Sequence, residues 1–305
     1  MSRFAKILVV LSILSFISIF YFMGAMANLF GHLADKGTAL RERRDHLTVL
    51  RVEGAIMGSE AYLECIRRIS QDKGCKGVLL RVDSPGGAVG ASQEILSALR
   101  GLKAHGLPIV VSQGNLAASG GYYVSLAGDR IFANPGTLTA SIGVIMQYPE
   151  AEKLLGKMGI KFNTVKSGAL KDVGNFGRPS TPEDIRFLQS VIDNTYGQFI
   201  DDILANRKIA KADLLRIADG RVMTGLQARD HGLVDTLGGY AEAERYLASV
   251  AKLGENPPLV TEPPTKTRLE RFFESKGDAG SLGSLAQAAQ AWLPELRQGS
   301  FFMWK

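Results

Sequence analysis

Three short segments of this 305-residue chain combine glycines with side chains able to do chemistry. The first, Asp83-Ser84-Pro85-Gly86-Gly87, follows the apolar run Gly77-Val78-Leu79-Leu80-Arg81-Val82. Paired glycines let a backbone approach a ligand closely and aim amide hydrogens at it. The same residues also make a plain turn, and no Gly-Lys-Ser/Thr follows as a phosphate-binding loop requires. The second segment, Ala117-Ala118-Ser119-Gly120-Gly121-Tyr122-Tyr123, sets a serine among residues too small to block a substrate, just ahead of an apolar helical stretch. Amides at a helix start stabilise negative charge of the kind that develops on a tetrahedral oxyanion. Taken alone, a serine N-cap followed by flexible glycines is the simpler reading. The third, Val165-Lys166-Ser167-Gly168-Ala169-Leu170-Lys171-Asp172, follows an expected strand at residues 161–165. A lysine there works as a base only where burial or a positive neighbour lowers its pKa.

A serine nucleophile needs a base, and the chain has only four histidines. His32 and His46 precede the expected domain, His105 ends a helix in Lys103-Ala104-His105-Gly106, and His231 sits in a turn-like Asp230-His231-Gly232. None accompanies a strand-end aspartate in the manner of a Ser-His-Asp triad, and a Ser-Lys dyad is the recognised substitute. Cys65 and Cys75 are too few for a disulfide scaffold or a self-contained zinc site, and read as buried thiols; a single bridge is the alternative in an exported domain.

The elements that must hold these loops alternate. Residues 47–52 form a β-rich run, 61–71 carry helical spacing, 77–82 read as a buried strand, 92–102 as a helix and 108–112 as the next strand. Such alternation predicts βαβ units and a mainly parallel sheet, whose active site lies beyond the carboxyl ends of the strands. Thr181-Pro182-Glu183-Asp184 marks a helix start. Ile185, Leu188, Val191, Ile192, Tyr196, Phe199 and Ile203 then make a stripe for the core or a subunit contact.

Composition narrows the class. A chain that is 46% hydrophobic and 22% charged is not disordered, and 34 glycines without a three-residue period are not collagen. The net charge of +6 is spread thinly and lacks any nucleic-acid-binding pattern, so nucleic acid is excluded as a partner. After Arg3 and Lys6, residues 7–31 carry no charge, enough for a spanning helix of about 20 residues. A cleaved signal peptide, with Ala25-Met26-Ala27 as its processing site, is the rival. Residues 7–23 already exceed the usual apolar core of a signal peptide, which favours an anchor in the bilayer. Basic residues on both sides leave its orientation open. The expected organisation is a membrane anchor at 1–31, a linker at 32–46, a catalytic domain at 47–253, and a Pro/Gly-rich tail at 254–305 whose aromatic end docks somewhere the sequence does not choose.

Asp83-Ser-Pro-Gly-Gly87, Ala118-Ser-Gly-Gly-Tyr-Tyr123, Thr139-Ala-Ser-Ile-Gly143, Lys166-Ser-Gly-Ala-Leu-Lys-Asp172 and Asp219-Gly-Arg-Val-Met-Thr-Gly225 are weak motifs singly. In this order they resemble the bacterial signal peptide peptidase A family in its short, single-domain form, over residues 47–253 and the anchor. The resemblance implies an α/β fold of the ClpP/crotonase type. It implies a membrane-anchored serine peptidase that degrades residual signal peptides and other membrane-associated peptides, without a metal or organic cofactor. By matching position, Ser119 is the nucleophile, Lys171 the general base with Lys166 a nearby decoy, and Ser141 the hydroxyl that orients the lysine. The Gly86 and Gly120 amides match the oxyanion hole. The family also implies a homo-oligomer, often with the dyad completed across subunits, facing the extracytoplasmic side of the bacterial inner membrane. Two alternatives stand: a Ser-Lys membrane protease that cleaves a partner membrane protein, and a crotonase-like acyl-CoA enzyme that uses the glycine amides on a thioester without a serine nucleophile.

Overall fold

The computed structural model describes residues 45–262 and the two-residue strand Met303–Trp304. The expected anchor, most of the linker and most of the tail lie outside the described residues. Among the described residues, no helix is long and apolar enough to cross a membrane.

In chain order, β1 (His46–Glu53), α1 (Glu60–Gln71), β2 (Cys75–Ser84), β3 (Gly87–Ala88), α2 (Val89–Ala104) and β4 (Ile109–Ala118) form the first half. Next come α3 (Gly120–Ser125), β5 (Arg130–Ala133), β6 (Leu138–Ala140), α4 (Glu152–Lys157), α5 (Pro182–Asn206), α6 (Lys211–Ile217) and β7 (Val222–Thr224). The last elements are α7 (Gly225–Asp230), β8 (Thr236–Leu237), α8 (Tyr240–Val250), β9 (Leu259–Glu262) and β10 (Met303–Trp304). The main sheet runs β7-β6-β4-β2-β1-β9, with β5 and β8 branching from β4. Its pairings are parallel except β6 with β7. This is the mixed α/β architecture with a mostly parallel sheet that the alternating pattern predicts.

Successive residues of a strand face opposite sides of its sheet. Leu50, Leu80 and Val111 therefore pack with Ile95, Leu96 and Leu99 of α2 on one face. Val49, Leu79 and Val110 pack with Ala243 and Leu247 of α8 on the other. Burial on both sides is why the centre of β2, Val78-Leu79-Leu80, is an unbroken apolar run rather than alternating. Truncating one of these leucines to alanine typically costs about 2–5 kcal/mol.

Three features depart from the sequence reading. Residues 161–165 form no strand, and Val165 is fully exposed. The sheet takes in β9, beyond the boundary expected at Leu253; Glu262 is tied to Arg68 of α1 at 2.6 Å. His46, assigned to the linker, instead opens β1, buried and 3.0 Å from the Asp72 carboxylate. The α5 stripe, expected for the core or a subunit contact, enters the core at Phe199 and Ile203 with Tyr196 packed against it, and its start at Ile185 is exposed. Cys65 and Cys75 are free and buried.

Candidate active site

The strand register brings three of the sequence motifs together. Ala117 pairs with Ser84, the last residue of β2, and Ala118 pairs with Ala140, the last residue of β6. The segments after β2, β4 and β6 thus emerge side by side at the carboxyl edge of the sheet, where α/β proteins bind ligands.

Ser119 turns β4 into α3 within a single residue, at φ 53° and ψ −117°. A side chain strains the backbone there, and such strain concentrates at functional sites. The Ser119 N–H donates to Ala140 O at 2.7 Å, and Tyr123 N–H donates to Ser119 O at 2.8 Å. Five non-glycine residues among those described have positive φ, and three of them are Ser119, Ala140 and Ser141. Ser119 is fully buried, yet its Oγ has no hydrogen-bond partner among the described residues. An unsatisfied buried hydroxyl costs about 1–3 kcal/mol, so its retention points to a use.

Glycines make the elbow possible. A Cβ on Gly120 would stand 2.7 Å from Ser92 Oγ and 3.2 Å from both Gly86 Cα and Gly87 N. Its neighbour Gly121 faces Ser84 O at 2.7 Å from the same position. Overpacking of this kind destabilises by about 1–3 kcal/mol. Gly120→Ala is expected to lower the unfolding free energy by that amount, measured as a shift in the urea midpoint at unchanged slope. The Gly86 N–H, expected as an oxyanion donor, here donates to Ser84 Oγ at 3.1 Å.

Ser141 is held by the fifth motif, which β7 carries alongside β6. Its N–H donates to Arg221 O at 3.0 Å and its Oγ donates to Gly220 O at 3.3 Å. With its proton committed to a carbonyl, the hydroxyl keeps its lone pairs for an incoming donor.

The lysines part company. Lys166 Nζ donates to Ala169 O at 2.6 Å and to Asp172 Oδ1 at 2.5 Å, which makes it a structural cation. Lys171 is exposed, and its ammonium makes no hydrogen bond or ion pair among the described residues. It therefore does not reach Ser119 within its own chain. Residues 156–169 are exposed throughout, so the segment before Lys171 has no buried anchor.

Sequence reasoning missed the group that secures this segment. Arg178 Nη2 donates to Asp172 Oδ1 at 2.9 Å, and Nη1 donates to Asp184 Oδ2 at 2.5 Å. The guanidinium, with Lys166 second, holds the Asp172 carboxyl well below the usual carboxylate range. Arg178, followed by the Thr181 amide, does the same to Asp184. Depressed values mean that the clamp is complete above the ordinary carboxylate pKa of about 3.9 and dissolves only as pH falls further. Asp172 and Asp184 stand six residues to either side of Arg178, with Asp184 in the α5 capping box, but spacing alone does not pair them.

Helix α5 connects this clamp to the serine. Tyr123, one turn after Ser119, donates its hydroxyl to Asp202, which also accepts from Arg100 at 2.7 Å. Burial first, and the Asp202 carboxylate second, push the Tyr123 phenol well above its usual range. Asp184 and Asp202 stand about 27 Å apart along α5 at 1.5 Å per residue. The lysine turn and the serine elbow are therefore fixed to opposite ends of one helix.

A strained, buried serine at the carboxyl edge of a parallel sheet, flanked by glycine amides, is the arrangement of a serine peptidase, and the chain is one. Residues 101–254 match Peptidase family S49, half of the chain, and the chain belongs to that family. It is similar to "Putative protease slr0021" of Synechocystis sp., 41% identical over 212 residues, covering 69% of this chain and 76% of the relative. A second relative is "Putative signal peptide peptidase SppA" of Enterococcus faecium, 39% identical over 59% of this chain and 52% of the relative. The chain is also 33% identical to "Serine protease SPPA, chloroplastic" of Arabidopsis thaliana over 71% of its length, spanning only 33% of that protein.

Proposed function

We propose that this peptidase hydrolyses membrane-associated peptides, residual signal peptides foremost, through a Ser119–Lys171 dyad completed between two copies of the chain in a ClpP/crotonase-type assembly. The observation that carries the reading is the buried Ser119 hydroxyl without a hydrogen-bond partner among the described residues. An exposed Lys171 at the far end of α5 supports a partner copy as the source of the amine. So do the exposed apolar side chains of the same stretch of chain, Leu154, Met158, Phe162 and Phe176. The uncharged residues 7–31 and the name of the Enterococcus relative support a membrane setting and the substrate class.

The chemistry follows from the groups present. The amine of the neighbouring Lys171, steered by the free lone pairs of Ser141 Oγ, takes the Ser119 proton as Oγ attacks the peptide carbonyl. The Gly120 N–H, first of its helix and without an intrahelical acceptor, faces the developing oxyanion. Gly86 N–H exchanges a neutral hydroxyl acceptor for that charged oxygen, which accepts more strongly. The lysine then protonates the leaving amine, and water hydrolyses the acyl-enzyme. An extended substrate takes the edge of β3, which already accepts the chain's own β10 in antiparallel pairing. Treatment of the full chain with a fluorophosphonate, followed by mass mapping, is expected to place the adduct on Ser119. An adduct elsewhere, or none in a preparation that turns over peptide, would overturn the reading.

A further inference from the structure

We propose that Arg178 is a positioning residue for catalysis: it locks the Lys171 turn to the first turn of α5, so that each copy presents its lysine to a neighbour at a fixed place. The inference rests on the intersubunit dyad proposed above. Three observations carry it. First, the segment before Lys171 has no buried anchor of its own, since residues 156–169 are exposed, so Asp172 is the first charged group after it that is tied down. Second, the tie is a fork. Arg178 grips Asp172 through Nε at 2.9 Å and Nη2 at 2.9 Å, and turns Nη1 to Asp184 at 2.5 Å. A planar guanidinium bridging two carboxylates fixes direction as well as distance, which a lysine ammonium does not.

Third, the far side of the fork is immobile. Asp184 is buried and closes the α5 capping box, accepting from Thr181 N–H at 2.8 Å while its own N–H donates to Thr181 Oγ1 at 3.1 Å. At the other end of the helix, Phe199, Ile200 and Ile203 sit in the core, and Asp202 holds the Tyr123 hydroxyl of the serine helix. One rigid element thus sets both half-sites of a copy, its own Ser119 and the lysine that it lends. Misplacing a catalytic group by about 1 Å can cost on the order of 100-fold in rate.

Full-length chains carrying two different tags, co-expressed and purified through both, provide the test. Arg178→Gln alone is expected to lower kcat on the order of 100-fold with KM unchanged. Arg178→Lys, which keeps the charge and loses the fork, is expected to fall between Arg178→Gln and the parent. Mixed assemblies of Arg178→Gln with Ser119→Ala are expected to regain turnover, because the Ser119→Ala copy lends a well-placed lysine to an intact serine. Mixtures of Arg178→Gln with Lys171→Ala are expected to stay inactive. Asp172→Asn removes the same fork from its other side and should complement in the same pattern, which keeps the test open if Arg178→Gln does not fold. An unchanged kcat, or a loss that Ser119→Ala copies do not restore, overturns the inference. Retention of turnover by Lys171→Ala alone would instead overturn the dyad beneath it.

Discussion

Replacing Ser119 by alanine is expected to reduce peptidase kcat by roughly 10^4–10^6-fold, the range over which nucleophile deletions fall in serine hydrolases. The substitution is unusually clean. Ser119 Oγ holds no hydrogen bond among the described residues, so deleting it breaks none. The contacts that shape the elbow are made by its backbone, to Ala140 and Tyr123, and alanine keeps both. Alanine tolerates φ 53° no worse than serine does, since the strain arises from the Cβ that the two share. Oligomer size should therefore match the parent and the melting temperature should not fall, while turnover disappears. An unsatisfied buried hydroxyl also disappears, so any stability change should be a gain of about 1–3 kcal/mol. A Ser119→Ala enzyme that cleaves peptide at the parental rate would sink the assignment.

Much of the frame was legible in the chain because local chemistry and tertiary position agree there. Gly77 to Val82 reads as a buried strand and is one, because the parallel sheet is covered on both faces. Thr181-Pro182-Glu183-Asp184 reads as a helix start, and the full capping box forms. The motifs at Asp83–Gly87, Ala118–Tyr123 and Thr139–Gly143 converge because parallel strands in register bring their carboxyl ends to one edge, while the lysine segment lies elsewhere. Residues 161–165 mislead for the opposite reason. Their β-rich composition has no strand edge to pair with, and propensity without a partner does not make a strand.

Long-range placement was not legible. Nothing local to Arg178 says that it will span Asp172 and Asp184, or that Tyr123 will find Asp202. The positive φ at Ala140 and Ser141 arises where β6 must end beside the serine elbow, with β7 antiparallel on its other side. Exposure of Ile185 divides the α5 stripe into a buried end and an open one. Periodicity reports a face; the fold decides how much of that face is covered.

Lys171→Ala is expected to lose turnover by an amount comparable with Ser119→Ala, on the order of 10^4-fold or more, and to regain it in the presence of the serine variant. The argument is geometric. Within one chain the lysine turn is tied to Asp184 and the serine helix to Asp202, two residues about 27 Å apart along α5 at 1.5 Å per residue. In a closed oligomer, every copy meets a neighbour through the same interface, so the lysine of one can serve the serine of the next. Neither single variant then contains a complete site. An equimolar mixed assembly pairs an intact Ser119 with an intact Lys171 at about a quarter of its interfaces, and its activity should rise to that share. Lys166→Ala is the control. Its ammonium is engaged by Asp172 and Ala169 O, so its loss should loosen the turn while leaving the base in place. Turnover should fall far less than for Lys171→Ala, and mixing with Ser119→Ala should recover what is lost. If Lys171→Ala and Ser119→Ala stay inactive together while each still assembles, the amine does not come from a neighbour, and the separation along α5 must be closed within the chain.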